Sequence, residues 1–130
     1  MKAILSIHPE YAYKILSGEK THELRKVLFK KPVTHVLVYA TAPISKVIGE
    51  FKVGTILCDT PLRLWDFLEK NGYNPAISFE KFVGYYKLKE YAYAIEVKEP
   101  KLFFWAKFLW EYGIDKAPQS FVYYEEPLIN

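Results

Sequence analysis

The stretch Gly18-Glu19-Lys20-Thr21-His22-Glu23-Leu24-Arg25-Lys26 holds the side chains best suited to chemistry. A lysine and a carboxylate held together can work as a nucleophile–base pair, or as an acid–base pair where burial draws their pKa values toward neutrality. An arginine beside them can grip a carboxylate or phosphate with paired hydrogen bonds. Lys20, Glu23 and Arg25 are therefore the candidate set, with Lys20 and Glu23 the catalytic pair if the protein is an enzyme. Thr21 and Lys26 belong to the same polar run. From Lys20 to Lys26 only Leu24 is apolar. Strand alternation would put Thr21, Glu23 and Arg25 on one side and Lys20, His22, Leu24 and Lys26 on the other. Neither side is a core face. The segment is either an exposed edge strand carrying an ion-pair network or the wall of a polar cleft.

The flanking elements must position that wall. Lys2 to Ile7 reads as a buried strand. His8-Pro9 opens a helix, since proline at the first helical position loses no needed hydrogen bond. Tyr11, Ala12, Ile15 and Leu16 share one face of it, and Gly18 ends it. Lys20 then follows the negative end of the helix, where a cation is favoured. His8 either caps this helix or faces the cleft as a proton carrier. Thr34 to Ala40 predicts a central strand. Lys46 to Thr60 predicts a long strand bent at Gly49 and Gly54. Helices are expected from Pro61 and from Phe79, the second with Phe79, Phe82 and Val83 inward. Tyr91 to Val97 is a strand that Lys101 to Phe104 extends. Trp105 to Tyr112 predicts a helix ended by Gly113, Gln119 to Tyr124 a last strand, and Glu125 to Asn130 a tail. The fold class is α+β.

Bulk composition narrows the function classes. The 130 residues fit one domain, 1–130, and 51% hydrophobic with 25% charged residues is a globular balance. No apolar run approaches the ~20 residues that span a membrane, and the N-terminal apolar patch is too short for a secretory signal. A cytoplasmic location without membrane contact is expected. Cys58 is the single cysteine, which excludes an internal disulfide, and it is expected to be buried in a strand. No Cys/His cluster points to a metal, and no cofactor is expected. A net charge of +3 and a pI of 8.8 permit an anionic partner without requiring one. Of 18 basic residues only Arg25 and Arg63 are arginine, so an arginine inside the polar run hints at a planar, two-pronged contact.

Gly18, Lys20, Glu23 and Arg25 form Gly-x-Lys-x-x-Glu-x-Arg, which resembles the signature of the ASCH domains of the PUA-like superfamily. Ile4 to Ala12, Lys14 to Ser17 and Pro118-Gln119-Ser120-Phe121 fit the same pattern, so the resemblance covers most of the chain. It implies a small mixed β-barrel with short peripheral helices. It also implies two functional classes. PUA-like domains bind RNA, and the expected partner is RNA or a nucleotide-like small molecule. Lys20, Arg25 and Lys26 would meet phosphate, Tyr39 or Tyr123 would stack a base, and Gln119 and Ser120 would hydrogen-bond a base edge. Some small bacterial members instead hydrolyse the acetyl amide of acetylcytidine with a Lys, a Thr and a Glu, and others are linked to RNA cleavage. Lys20 matches that catalytic lysine, but the threonine position is Glu23 here, a departure from the hydrolase pattern. The later glutamate falls near Asn71-Gly72, with Glu69 the nearest carboxylate. A third class is a regulatory interaction module that pairs through exposed aromatics around Trp105 and Trp110. The sequence does not fix the oligomeric state.

Overall fold

The chain runs β1 (Lys2–Ile7), α1 (Pro9–Leu16), β2 (His22–Arg25), β3 (His35–Ala40), β4 (Lys46–Asp59), α2 (Pro61–Lys70), α3 (Phe79–Tyr85), β5 (Ala92–Lys107), a 3₁₀ turn (Leu109–Tyr112) and β6 (Phe121–Tyr124). These elements come from a computed structural model that describes residues 1–128. The last two residues of the tail expected from Glu125 lie outside the described residues. The strands form one mixed sheet in the order β2-β5-β4-β3-β1-β6. Only β1 and β3 are parallel; the other neighbours are antiparallel.

The poor alternation of β3 has a packing cause. Val36, Val38 and Ala40 join Ala3, Leu5 and Ile7 under α1, while Leu37 and Tyr39 join Ile4 and Val47 on the other face. A strand covered on both faces carries apolar residues throughout. α1 adds Ala12, Ile15 and Leu16 to the first face. At Gly49 a Cβ would overlap the Lys101 carbonyl and the Leu16 methyls, so the close approach of helix and hairpin requires glycine there. Leu24, Leu64, Leu68, Phe82 and Tyr86 form a separate core beneath α2 and α3.

β4 and β5 make the longest ladder, and its register shifts at Val47/Gly49, Glu50/Lys52 and Val53/Ile56. Such irregularities strengthen twist and let a sheet curl. The curl brings the edge strands β2 and β6 together: Arg25 Nη2 donates to Ser120 Oγ, just before β6, at 2.5 Å. The result is a half-barrel whose open seam lies between β2 and β6. Among the described residues no helix is long and apolar enough to cross a membrane.

Three expectations need correction. Trp105 to Tyr112 is not a helix. β5 continues to Lys107, and only Leu109–Tyr112 coils, closed by Gly113 at φ 74. Leu102 pairs with Gly49 and Lys107 with Val47, so residues 103–106 stand opposite Ile48 alone and bulge from the ladder, with Phe103 turned back onto the core. Cys58 lies in β4 but is exposed; alternation turns its neighbour Leu57 toward the α2/α3 core and Cys58 outward. In α3 Phe82 is fully buried while Phe79 and Val83 are exposed, because this short helix offers only a narrow face to α2.

Candidate functional site

Lys20 owes its position to the end of α1. Gly18 takes φ 86, which turns the chain back so that the Lys20 amide donates to the Lys14 carbonyl at 2.9 Å. The side chain then runs inward and is 3% exposed. Its Nζ donates to the Pro75 carbonyl and lies 5.1 Å from the centre of the Tyr11 ring. Burial holds the Lys20 pKa below its ordinary value; the nearby Glu23 carboxylate partly offsets this, and Lys14 adds a small further push down. A neutral amine is thus more accessible here than on a surface lysine.

Glu23 and Arg25 are two residues apart in β2 and share a face. Glu23 is buried, and its Oε2 lies 3.3 Å from Arg25 Nη1. Leu24, between them, faces the α2/α3 core. The Ser120 partner of Arg25 is fixed in turn: its carbonyl accepts the Ser6 amide at 3.0 Å, and Ser6 Oγ donates to the Pro118 carbonyl at 2.6 Å. A cavity of about 240 Å³ opens beside these groups, and His8, Tyr11, Lys20, Glu23, Arg25 and Tyr85 line it. Two cations and one carboxylate in its wall leave it electropositive.

His8 caps the helix and also faces the cavity. Its Nδ1 accepts the Glu10 amide at 3.4 Å, capping α1, and the ring also borders the cavity. A neutral ring accepting at Nδ1 carries its proton on Nε2, as assigned from this bond. The Tyr85 hydroxyl donates to the Leu24 carbonyl at 3.3 Å; burial pushes its pKa up, and it stays protonated at neutral pH. Lys26 sits over the Tyr85 ring at 4.5 Å, just outside the cavity.

The remaining candidates lie elsewhere. Thr21 is turned away: its Oγ1 donates to the Asn74 carbonyl at 3.1 Å and contacts His22 Nδ1 at 2.9 Å. Gln119 is exposed and does not line the cavity, whereas Ser120 reaches it only through Arg25. Tyr39 cannot stack a base, because it is buried with Ile4, Leu37 and Val47 on the opposite face of the sheet. The Tyr123 hydroxyl accepts the amides of Lys30 and Lys31, and Lys31 covers its ring at 5.0 Å. Glu69 lines a different hollow and accepts from Trp65 Nε1 at 2.9 Å. The carboxylate that acts on Lys20 is that of Glu23, three residues on in β2.

Tyr11, Tyr85 and the Pro75 carbonyl were missed as parts of the site. In the sequence Tyr11 reads as helix core and Tyr85 as cover. Pro75 marks a loop with no sign of its target. His22 is also buried, against Tyr73, and burial lowers its pKa, with Glu96 opposing and Lys20 reinforcing the shift.

Comparison with known proteins agrees with this layout. A family model described as the ASCH domain matches residues 5–101. The crystal structure of ASCH from Zymomonas mobilis superposes with a TM-score of 0.85 at 25% identity, covering 96% of this chain and 88% of that one. An ASCH domain-containing ribonuclease of Zymomonas mobilis is 28% identical over 99 residues, 75% of this chain and 65% of the relative. The large ribosomal subunit protein uL22 of Ureaplasma parvum serovar 3 is 33% identical over 104 residues, 80% of this chain. This chain spans 30% of the length of that ribosomal relative. The α+β half-barrel matches the Zymomonas structure across nearly its whole length, and the family model takes in everything from β1 to the middle of β5. On these grounds the chain belongs to the ASCH domain family.

Proposed function

We propose that this domain binds single-stranded RNA, or a nucleotide-like fragment of it, by taking one nucleotide into the cavity beside Lys20, Glu23 and Arg25. The observation that carries this is the wall itself: a buried lysine and carboxylate with a partly buried arginine, held by backbone and side-chain partners, facing a concavity instead of bulk water. Arg25 has five donors, of which Glu23 and Ser120 engage only part, so a phosphate oxygen can still be met. Tyr11 and Tyr85 supply aromatic surface for a base or sugar. The similarity to a ribonuclease favours RNA as the polyanion.

Hydrolysis at the same cavity is the second reading, and the burial that lowers the Lys20 pKa favours it. A neutral Lys20 amine would take the proton from an attacking hydroxyl and, as the ammonium so formed, return it to the leaving oxygen, while Arg25 would balance charge on the phosphoryl oxygens. Amide hydrolysis of acetylcytidine is less well supported, since Glu23 stands where a threonine is wanted.

Anisotropy titrations of a labelled single-stranded RNA over a range of salt concentrations test the binding. Affinity should fall on a log–log plot with a slope of about −0.7 per phosphate contacted. No binding at low salt would overturn the proposal. Incubating the same RNA with the wild type and with Lys20→Ala tests cleavage; equal turnover would remove Lys20 from any mechanism.

A further inference from the structure

The segment Tyr73-Asn74-Pro75-Ala76-Ile77, between α2 and α3, divides two hollows. On one side is the Lys20 cavity. On the other is a hollow of about 220 Å³ walled by Trp65, Glu69, Tyr73, Asn74 and Pro75, and Ile77 lines both. The divider is firmly built. Asn74 Oδ1 accepts the Ala76 amide at 2.9 Å and so supports Ala76 at φ 55. The Asn74 carbonyl accepts the Thr21 amide at 2.7 Å, and Asn74 Nδ2 donates to the Glu19 carbonyl at 3.0 Å. With the Pro75 carbonyl taking Lys20 Nζ, the loop is pinned to the very residues that deliver Lys20. The two hollows are therefore held in a fixed relation.

The second hollow differs from the first in chemistry. No lysine or arginine lines it, so it does not suit a phosphate. It offers instead two aromatic walls and a carboxylate. The Trp65 Nε1 bond to Glu69 Oε2 fixes that carboxylate, which retains lone pairs for further donors. Tyr73 is backed by the His22 ring, 4.7 Å away between centroids. His22 is itself buried and hydrogen-bonded to Thr21. Flat aromatic walls with one acceptor at the edge suit a nucleobase that carries an exocyclic amine.

We propose that the hollow of Trp65, Glu69 and Tyr73 is a second base subsite. It takes the nucleobase next to the nucleotide held beside Lys20, and it selects cytosine or adenine over uracil. This rests on the RNA reading above. The N4 amine of cytosine donates to the Glu69 carboxylate, whereas uracil carries the O4 carbonyl at that position, which the carboxylate repels. The space on each side of the Pro75 divider is similar, as two consecutive nucleotides splayed around it would need.

The test compares short oligocytidylate and oligouridylate by anisotropy on the wild type, Glu69→Gln and Tyr73→Ser. Glu69 and Tyr73 are both exposed, and thermal unfolding checks that each variant remains folded. Oligocytidylate should bind the wild type about tenfold more tightly than oligouridylate. Glu69→Gln should bring that ratio close to one, because the amide accepts less strongly from cytosine and no longer repels uracil. Tyr73→Ser should weaken both by about tenfold. Equal affinities in the wild type, or a preference that survives Glu69→Gln, would overturn the subsite. If both oligomers bind with the expected salt slope but show no preference, only the subsite falls. If neither binds at low salt, the RNA reading fails and the subsite with it.

Discussion

The two halves of β5 border opposite chemistry. Its first half pairs with β2, and there Ala92, Ala94 and Ile95 are fully buried behind a polar wall of Glu23 and Arg25 that is itself nearly closed to solvent. Its second half carries Phe104 and Trp105 on the 103–106 bulge, 89% and 77% exposed, with Trp110 nearby in the following turn. Charged groups inside and large aromatics outside are both against the usual partition. The physical terms differ, however. A buried ion set costs desolvation and depends on every partner staying in place. An exposed ring loses little when it is removed, because little packs on it. The inner half should govern stability and ligand binding together, and the outer half neither.

Glu23→Ala should strain this contrast most. It leaves Lys20 and Arg25 buried without their carboxylate, and should cost about 3 kcal/mol in urea unfolding. A loss no larger than that of a surface substitution would mean that water already screens the wall. Arg25→Lys comes next. It keeps the charge but loses the planar fork, so RNA affinity should drop about tenfold in the titration described above. Unchanged affinity would rule out a two-pronged contact.

A smaller effect should appear in the pH dependence. The folded-state pKa of Lys20 lies below the ordinary 10.5 because the cation is buried. Between those two values the unfolded chain holds a proton that the folded chain has released, so stability should rise with pH across that window. Tyr85 and Tyr86, whose phenols are pushed up by burial, act in the opposite sense only above their ordinary 10. Urea midpoints measured from neutral pH to just below 10 should therefore rise in the wild type and flatten in Lys20→Met. Parallel profiles would show that Lys20 titrates as if exposed. The smallest change is expected at the ridge: Trp105→Ser should alter stability by less than about 0.5 kcal/mol and leave RNA affinity as it was. Weaker binding would extend the RNA surface along β5 and erase the distinction between its halves.

Much of this was legible in the chain. Pro9 and Gly18 bracket α1, the apolar run of β3 marks a strand covered on both faces, and the lone Leu24 among polar residues marks β2 as something other than an ordinary strand. The Trp105 to Tyr112 stretch misled, because its apolar spacing suits a helix while the register of β5 against β4 throws it outward. Tyr39 misled in the opposite way. Its ring suits a base, but β3 is central and buries it.

The sequence by itself determined the elements and which residue types sit beside Lys20, since helix caps, turn residues and side-chain alternation act over a few residues. Only the tertiary structure decided that Ser120 meets Arg25 across the seam, that the Pro75 carbonyl receives Lys20, and that Glu69 belongs to a neighbouring hollow. Those two contacts join positions 95 and 55 residues apart, and the hollows are split by a single loop. They exist only because the bulged β4–β5 ladder curls the sheet and the α2–α3 connection folds back over the end of α1.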